Sequence, residues 1–422
     1  MLRSEDNMTS QPRDALLGSY SRNSLVHSPA RSLGTSIFPQ TVMVLGLSIF
    51  VFALPTQLRL YGDISVTLPV GSFCVALGVL DVMRRRTVIA LPLGFWCLMA
   101  FVIWGTCSLA WAEHPSLTMS KLIKYWEFLP MTWVIAQHTW DRRVRIRLFD
   151  AYVAGCWCGV LGVFFHYASG QEFITQAERG FERRYSFGSD DPNFLALALV
   201  IGICIACYRA CSDAPGWKRL LFLSYIPAAF VTITLTGSRG ALLALLAAAV
   251  TFGICSTLRR RIAMLIGAAI CLVLTLALPS ALTSRFSTIP DELNYGTLSG
   301  RRDLWDEGTA FVERHPFQGA GIVTGEGGSA FVAHNTPLEI LIEGGLVSLV
   351  LFYGVFANGI YRVWRVAGQE QTVLLALCGA WLVGTFSLSW DVDPITWFIF
   401  AMLLSAGLPR KLVESRVVAA VR

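Results

Sequence analysis

Apolar residues in this chain are gathered into long, nearly uninterrupted blocks, among them 41–54, 193–208 and 241–255. A helix needs ~20 apolar residues to cross a bilayer, and in lipid every backbone N–H and C=O must be satisfied within helices or a closed barrel. Blocks of this kind confine the chain to an all-α, polytopic membrane fold. About twelve transmembrane helices are expected, at about 36–54, 64–82, 88–111, 122–138, 148–168, 193–210, 220–236, 239–256, 262–283, 336–360, 371–388 and 394–409. Charge is correspondingly scarce. Only 15% of the residues are charged, against roughly 25% in a soluble domain.

Orientation follows from where the charges fall. With the N-terminus inside, the inner loops hold runs such as Arg84, Arg85, Arg86; Arg142, Arg143, Arg145, Arg147; and Arg259, Arg260, Arg261. With both tails included, 23 of the 34 basic residues lie inside, but only 9 of the 28 acidic ones. Basic loops stay on the cytoplasmic side, so both termini are expected there. The polar residues 1–35 read as a disordered cytoplasmic tail, not as a cleaved leader. The expected organisation is then that tail, nine helices over 36–283, a large outer loop at 284–335, three helices over 336–409 and a short inner tail at 410–422.

Eleven cysteines lie within or beside apolar blocks. Cys204 and Cys207 form a CxxC and Cys156 and Cys158 a CxC, but neither has a second pair in a polar loop, as a zinc or redox site would need. They read as small lipid- or core-facing residues.

Within 284–335, Leu304, Trp305, Gly308, Phe311 and Val312 recur at helical spacing with charges opposite. This predicts an amphipathic helix lying on the membrane surface. Pro316 would end it, and Gly319, Gly321, Gly325, Gly327 and Gly328 would follow as a flexible connector.

Four short motifs share the outer side. In AHNTPLEILIEGG, Thr336 with Glu339 makes a capping-box pattern and Pro337 suits the first helical turn. His334 and Asn335 then stand at the mouth of the tenth span. A neutral imidazole there can take a proton from a hydroxyl near pH 7; otherwise it is a headgroup-layer histidine. Glu343, one turn deeper, should face the bundle interior because an unpaired charge in lipid is costly. In TGSRGALLALL, Gly237 ends one helix and Ser238 caps the next, which leaves Arg239 beside backbone N–H groups that favour anions. Snorkelling into headgroups is the alternative for Arg239. In ERRYSFGSDDPNFLAL, Asp191 and Pro192 cap the sixth span, with Arg183 and Arg184 before them, either as anion ligands or as part of a solvated charge cluster. In LSGRRDLW, Arg301 and Arg302 open the surface helix, again a favourable place for an anion. Asp391 and Asp393 of DVDP are the one place where a cation could be proposed, and no metal or other cofactor is required.

Taken in order, RYSFGSDDPNFLAL, TGSRGALLALL, SGRRDLW…HPFQGAG and AHNTPLEILIEGGLVSLVLF resemble the O-antigen ligase family, over roughly 184–357. This family shares its membrane core with some O-antigen and exopolysaccharide polymerases and with bacterial protein O-oligosaccharyltransferases. The resemblance implies a metal-independent inverting glycosyltransferase of the bacterial inner membrane, with its site facing the periplasm. Its donor would be a glycan on undecaprenyl diphosphate and its acceptor a sugar hydroxyl of lipid A–core. It further implies that Arg239, Arg301 and Arg184 hold the diphosphate and that His334 is the base, with Arg302, Arg183, Asn335, Glu339 and Asp391 as secondary candidates. A polymerase using the same donor is the alternative. A protein oligosaccharyltransferase is disfavoured because nothing resembling an added domain follows the twelfth span. A transporter is disfavoured because broken helices and internal repeats are not evident. Membrane lipids, and no nucleic acid, complete the expected partners.

Overall fold

The computed structural model describes residues 37–57, 59–61, 64–85, 91–173, 184–188, 191–212, 214–255, 301–324 and 331–407, with three single positions at 267, 269 and 273. The remainder of the expected ninth span, residues 284–300 of the large loop, Arg183, Gly325, Gly327, Gly328 and both tails lie outside the described residues. Met1–Phe38 and Pro39–Arg422 form separate units.

The described helices are α1 (Ile37–Ala53), α2 (Thr67–Arg85), α3 (Leu93–Cys107), α4 (Pro115–Thr139), α5 (Arg142–Ser169), α6 (Pro192–Cys211), α7 (Gly216–Thr236), α8 (Arg239–Cys255), α9 (Arg301–Arg314), α10 (Thr336–Val363), α11 (Gln369–Thr385) and α12 (Pro394–Ser405). Five segments are long and apolar enough to cross a bilayer: Leu93–Ala110, Arg142–Ser169, Pro192–Cys211, Gly216–Thr236 and Thr336–Val363. Shorter apolar helices accompany them at Thr41–Ala53, Thr67–Asp81, Arg239–Cys255 and Pro394–Ser405. Among the described residues the fold is nearly all helical, as expected, with an unforeseen hairpin of β1 (Arg59–Tyr61) and β2 (Ile64–Ser65), paired antiparallel between α1 and α2.

Helices α6 and α12 are apolar all round, and such helices belong inside a bundle. Every residue of α12 is buried, and all but four of α6. Around them Phe352, Phe356, Trp381 and Phe400 interlock, with the Phe356 and Trp381 rings 4.2 Å apart. The ten described cysteines are all free thiols. Several are buried, which fits their reading as packing residues.

Two expectations about the outer region need correction. First, α10 is not continuous. Gly345 has φ 67° and ψ −167°, which divides it into two helices end to end. The groups freed by the break are taken up by neighbours. Trp104 Nε1 donates to the Gly344 carbonyl at 2.9 Å, Ala320 N–H to Ile342 O at 2.8 Å, and Leu346 N–H to Pro316 O at 2.9 Å. A broken helix is therefore present, and its absence no longer counts against a transporter; the break in α10, though, is a joint that the loop closes.

Second, the glycines after α9 that are described are not a loose connector. Gly319 (φ 72°) lies so close to α10 that a Cβ there would stand 2.4 Å from the Gly344 nitrogen. Glycine is present because the backbones touch. Ala320, Val323 and Ile342 form a small second core, packed by Phe311, Val312, Phe331 and Leu338. The apolar face of α9 thus packs on α10 and the loop.

Candidate active site

The helix ends that carry the motifs are fixed by local hydrogen bonds. Asp191 caps α6 by accepting the Asn193 N–H at 2.7 Å, with Pro192 in the first turn. Gly237 ends α7 in the left-handed conformation (φ 65°), and Ser238 Oγ accepts the Ala241 N–H at 3.4 Å, leaving Arg239 as the first residue of α8. At α10 the cap falls one residue earlier than the capping-box pattern suggests. Asn335 Oδ1 accepts the Leu338 N–H at 3.1 Å, while Thr336 turns its hydroxyl to the Leu388 carbonyl at 2.6 Å. The Glu339 carboxylate does not reach back to Thr336; it takes the Ser389 hydroxyl. The competing partner won because residues 388–390 lie against the start of α10.

Arg184 is buried, 3% exposed. Its Nε donates to Thr236 O at 2.8 Å and its Nη2 to Asn193 Oδ1 at 3.0 Å. One side chain thus joins the turn that carries Arg239 to the cap of α6. Arg239 is half-buried, and its neighbour Gly240 abuts Ser387, whose hydroxyl occupies the space a Cβ would take. The same segment, through Leu388, Ser389 and Trp390, holds the start of α10.

His334 sits at φ 49°, a left-handed backbone that a non-glycine residue adopts only when its surroundings impose it. Burial, and after it the Arg301 guanidinium, hold its imidazole pKa below the usual 6.5, with Asp191 pulling the other way. The ring is therefore neutral at pH 7, and its loop is tied to α9 by the Trp305 Nε1 hydrogen bond to the Ala333 carbonyl at 3.0 Å. Arg301 is half-buried while Arg302 is exposed, which separates the two members of that pair. The motifs of α9 and α10 are thus joined at the Trp305–Ala333 bond, and those of α6 and α8 through Arg184.

Sequence reading missed a partly buried cluster that joins α4, α10 and the α11–α12 link. Lys121 Nζ of α4 lies 2.5 Å from Glu343 Oε1 and 2.7 Å from Asp391 Oδ2, and Tyr125 OH also donates to Asp391. Glu343 faces the interior as expected. Asp391 is fully buried and already has an ammonium as its cation. The sequence signal was Lys121 and Tyr125 four apart, on a helix that also carries Lys124 and Glu127.

Chemically, arginines at helix starts hold an anion by charge-assisted, forked hydrogen bonds, and a neutral histidine beside them accepts a proton. The fold is that of a multi-pass helical membrane protein, with Arg239, Arg301 and His334 each at or just before the start of a helix. Residues 225–353 match a family model described as O-Antigen ligase, a stretch that includes Arg239, Arg301 and His334. An O-antigen polymerase of Salmonella muenchen is 23% identical over 357 residues, 76% of this chain and 81% of that protein. The resemblance to the O-antigen ligase and polymerase superfamily is thereby borne out.

Proposed function

We propose that the protein is an O-antigen ligase, an inverting glycosyltransferase that moves a glycan from undecaprenyl diphosphate to a sugar hydroxyl of lipid A–core. The reading is supported by the left-handed His334 at the start of α10, by the Trp305–Ala333 hydrogen bond that ties its loop to the helix opened by Arg301, and by the Arg184 brace. His334 removes the proton of the acceptor hydroxyl as its oxygen attacks the anomeric carbon. The bond from that carbon to the diphosphate oxygen breaks, and undecaprenyl diphosphate departs with the electron pair. Arg301 and Arg239 meet the charge that develops, with Arg184 assisting, so no metal is called for. The enzyme would lie in the inner membrane with this site in the periplasm.

A second reading, a polymerase that uses a second lipid-linked glycan as acceptor, is favoured by the name of the Salmonella relative. The lipopolysaccharide of a deletion strain separates the two. Long glycan retained on the carrier lipid supports a ligase, and a single repeat attached to core supports a polymerase. Transfer by purified protein should survive a chelator. Restoration of a chelated enzyme by magnesium or manganese would overturn the metal-independent step.

A further inference from the structure

We propose that Trp305 is a positioning residue that holds the anion-binding arginine of α9 in register with His334. This rests on the glycosyl-transfer reading of the site. Arg301 and His334 come from different pieces of chain, 33 positions apart, with no covalent element between them short enough to set their spacing. Trp305 lies one helical turn after Arg301 on the same face of α9. Its indole Nε1 donates to the carbonyl of Ala333, the residue before His334, at 3.0 Å. Ala333 is fully buried and the next residue is in the left-handed conformation, so this carbonyl has a fixed direction.

Further along α9, the docking contacts are apolar. Gly308 lets the helix approach Leu338 and Ile342 of α10, and Phe311 packs against Phe331 with the rings 5.9 Å apart. Apolar packing of this kind permits sliding; a directional hydrogen bond does not. The Trp305–Ala333 bond is a hydrogen bond between α9 and the backbone that carries the histidine, and it therefore selects one register.

The test is transfer by the full-length protein with Trp305→Phe, which keeps a flat ring and loses the donor. Benzothienylalanine at the same position is the second variant; it preserves the shape of the indole and removes only the N–H. A misplacement of about 1 Å can cost up to ~100-fold, and we expect kcat to fall about 10-fold, with KM for the donor rising as Arg301 moves off the diphosphate.

The pH profile gives a readout that a merely structural role would not move. The charges acting on His334 are Arg301 from α9 and Asp191 before α6. If α9 slips, Arg301 depresses the imidazole less, and the acid limb of kcat moves to higher pH. In an Arg301→Ala background, Trp305→Phe should produce no further displacement of that limb.

An unchanged kcat and pH profile in both variants would overturn the proposal. So would an undiminished displacement in the Arg301→Ala background. Failure of the underlying reading is distinguishable, because Arg301→Ala and His334→Ala would then retain full transfer.

Discussion

Thr336 and Trp390 are joined through a single hydroxyl. The Trp390 N–H donates to Thr336 Oγ1 at 2.8 Å, and that hydroxyl donates onward to the Leu388 carbonyl at 2.6 Å. This bond ties the first residue of α10, two positions after His334, to the α11–α12 link. Thr336→Val keeps the shape and leaves a buried N–H without its acceptor, at a cost of about 1–3 kcal/mol. Thermal unfolding in detergent should register that loss, and transfer should fall with it. A variant with unchanged stability and transfer would show that the link does not support the His334 loop.

Lys121→Met leaves Asp391 and Glu343 without their shared cation. Removing one partner of a buried ion pair costs about 3–5 kcal/mol, so the variant should accumulate poorly or unfold at markedly lower temperature. Asp391→Asn added to Lys121→Met should recover part of the loss, because one uncompensated charge is removed with its partner. Equal stability of the two variants would contradict the cluster as drawn.

Gly345→Ala tests the break in α10. The residue is at φ 67°, and a Cβ would stand 2.2 Å from the Phe317 carbonyl oxygen, so both strain and overlap oppose it. We expect destabilisation of at least ~1–3 kcal/mol, seen as reduced accumulation. Ala at this position without effect would mean that α10 runs straight.

Arg239 and Arg184, both proposed to hold the donor, should separate by phenotype. Arg239→Lys keeps the charge but loses the planar fork, so donor binding should weaken, and Arg239→Ala should weaken it further while the protein still accumulates. Arg184→Ala should lose donor affinity and stability together, because its guanidinium also satisfies the Thr236 carbonyl and Asn193. Measuring accumulation and donor binding for each variant checks the distinction. Full transfer by Arg239→Ala would remove that residue from the site.

The apolar blocks and the helix punctuation were legible because each rests on local chemistry. Asp191 and Pro192 at the start of α6, and Gly237 and Ser238 between α7 and α8, do what their residue types imply. What sequence could not supply was choice among partners distant along the chain. Thr336 and Glu339 fit a capping box, but residues 388 and 389 offered stronger partners. Gly319 reads as part of a flexible connector, and only the fold shows that it lies against the backbone of Glu343 and Gly344, as Gly345 does against that of Phe317 and Gln318. Lys121 went unnoticed for the same reason, since both its carboxylates come from other helices or loops.

The assignment of His334 as a base is central, and donor binding and transfer measured separately on His334→Ala test it most directly. A general base contributes about 10²–10⁴-fold, so transfer should nearly vanish while the donor still binds. Because the imidazole pKa is held below 6.5, wild-type transfer should be level at pH 7 and above and decline only as acidity protonates the ring. In His334→Ala that decline should disappear, with partial recovery at high pH, where the acceptor hydroxyl needs less help. If His334→Ala instead binds donor as poorly as Arg239→Ala and shows no recovery at high pH, the histidine is a phosphate ligand and does not act as the base.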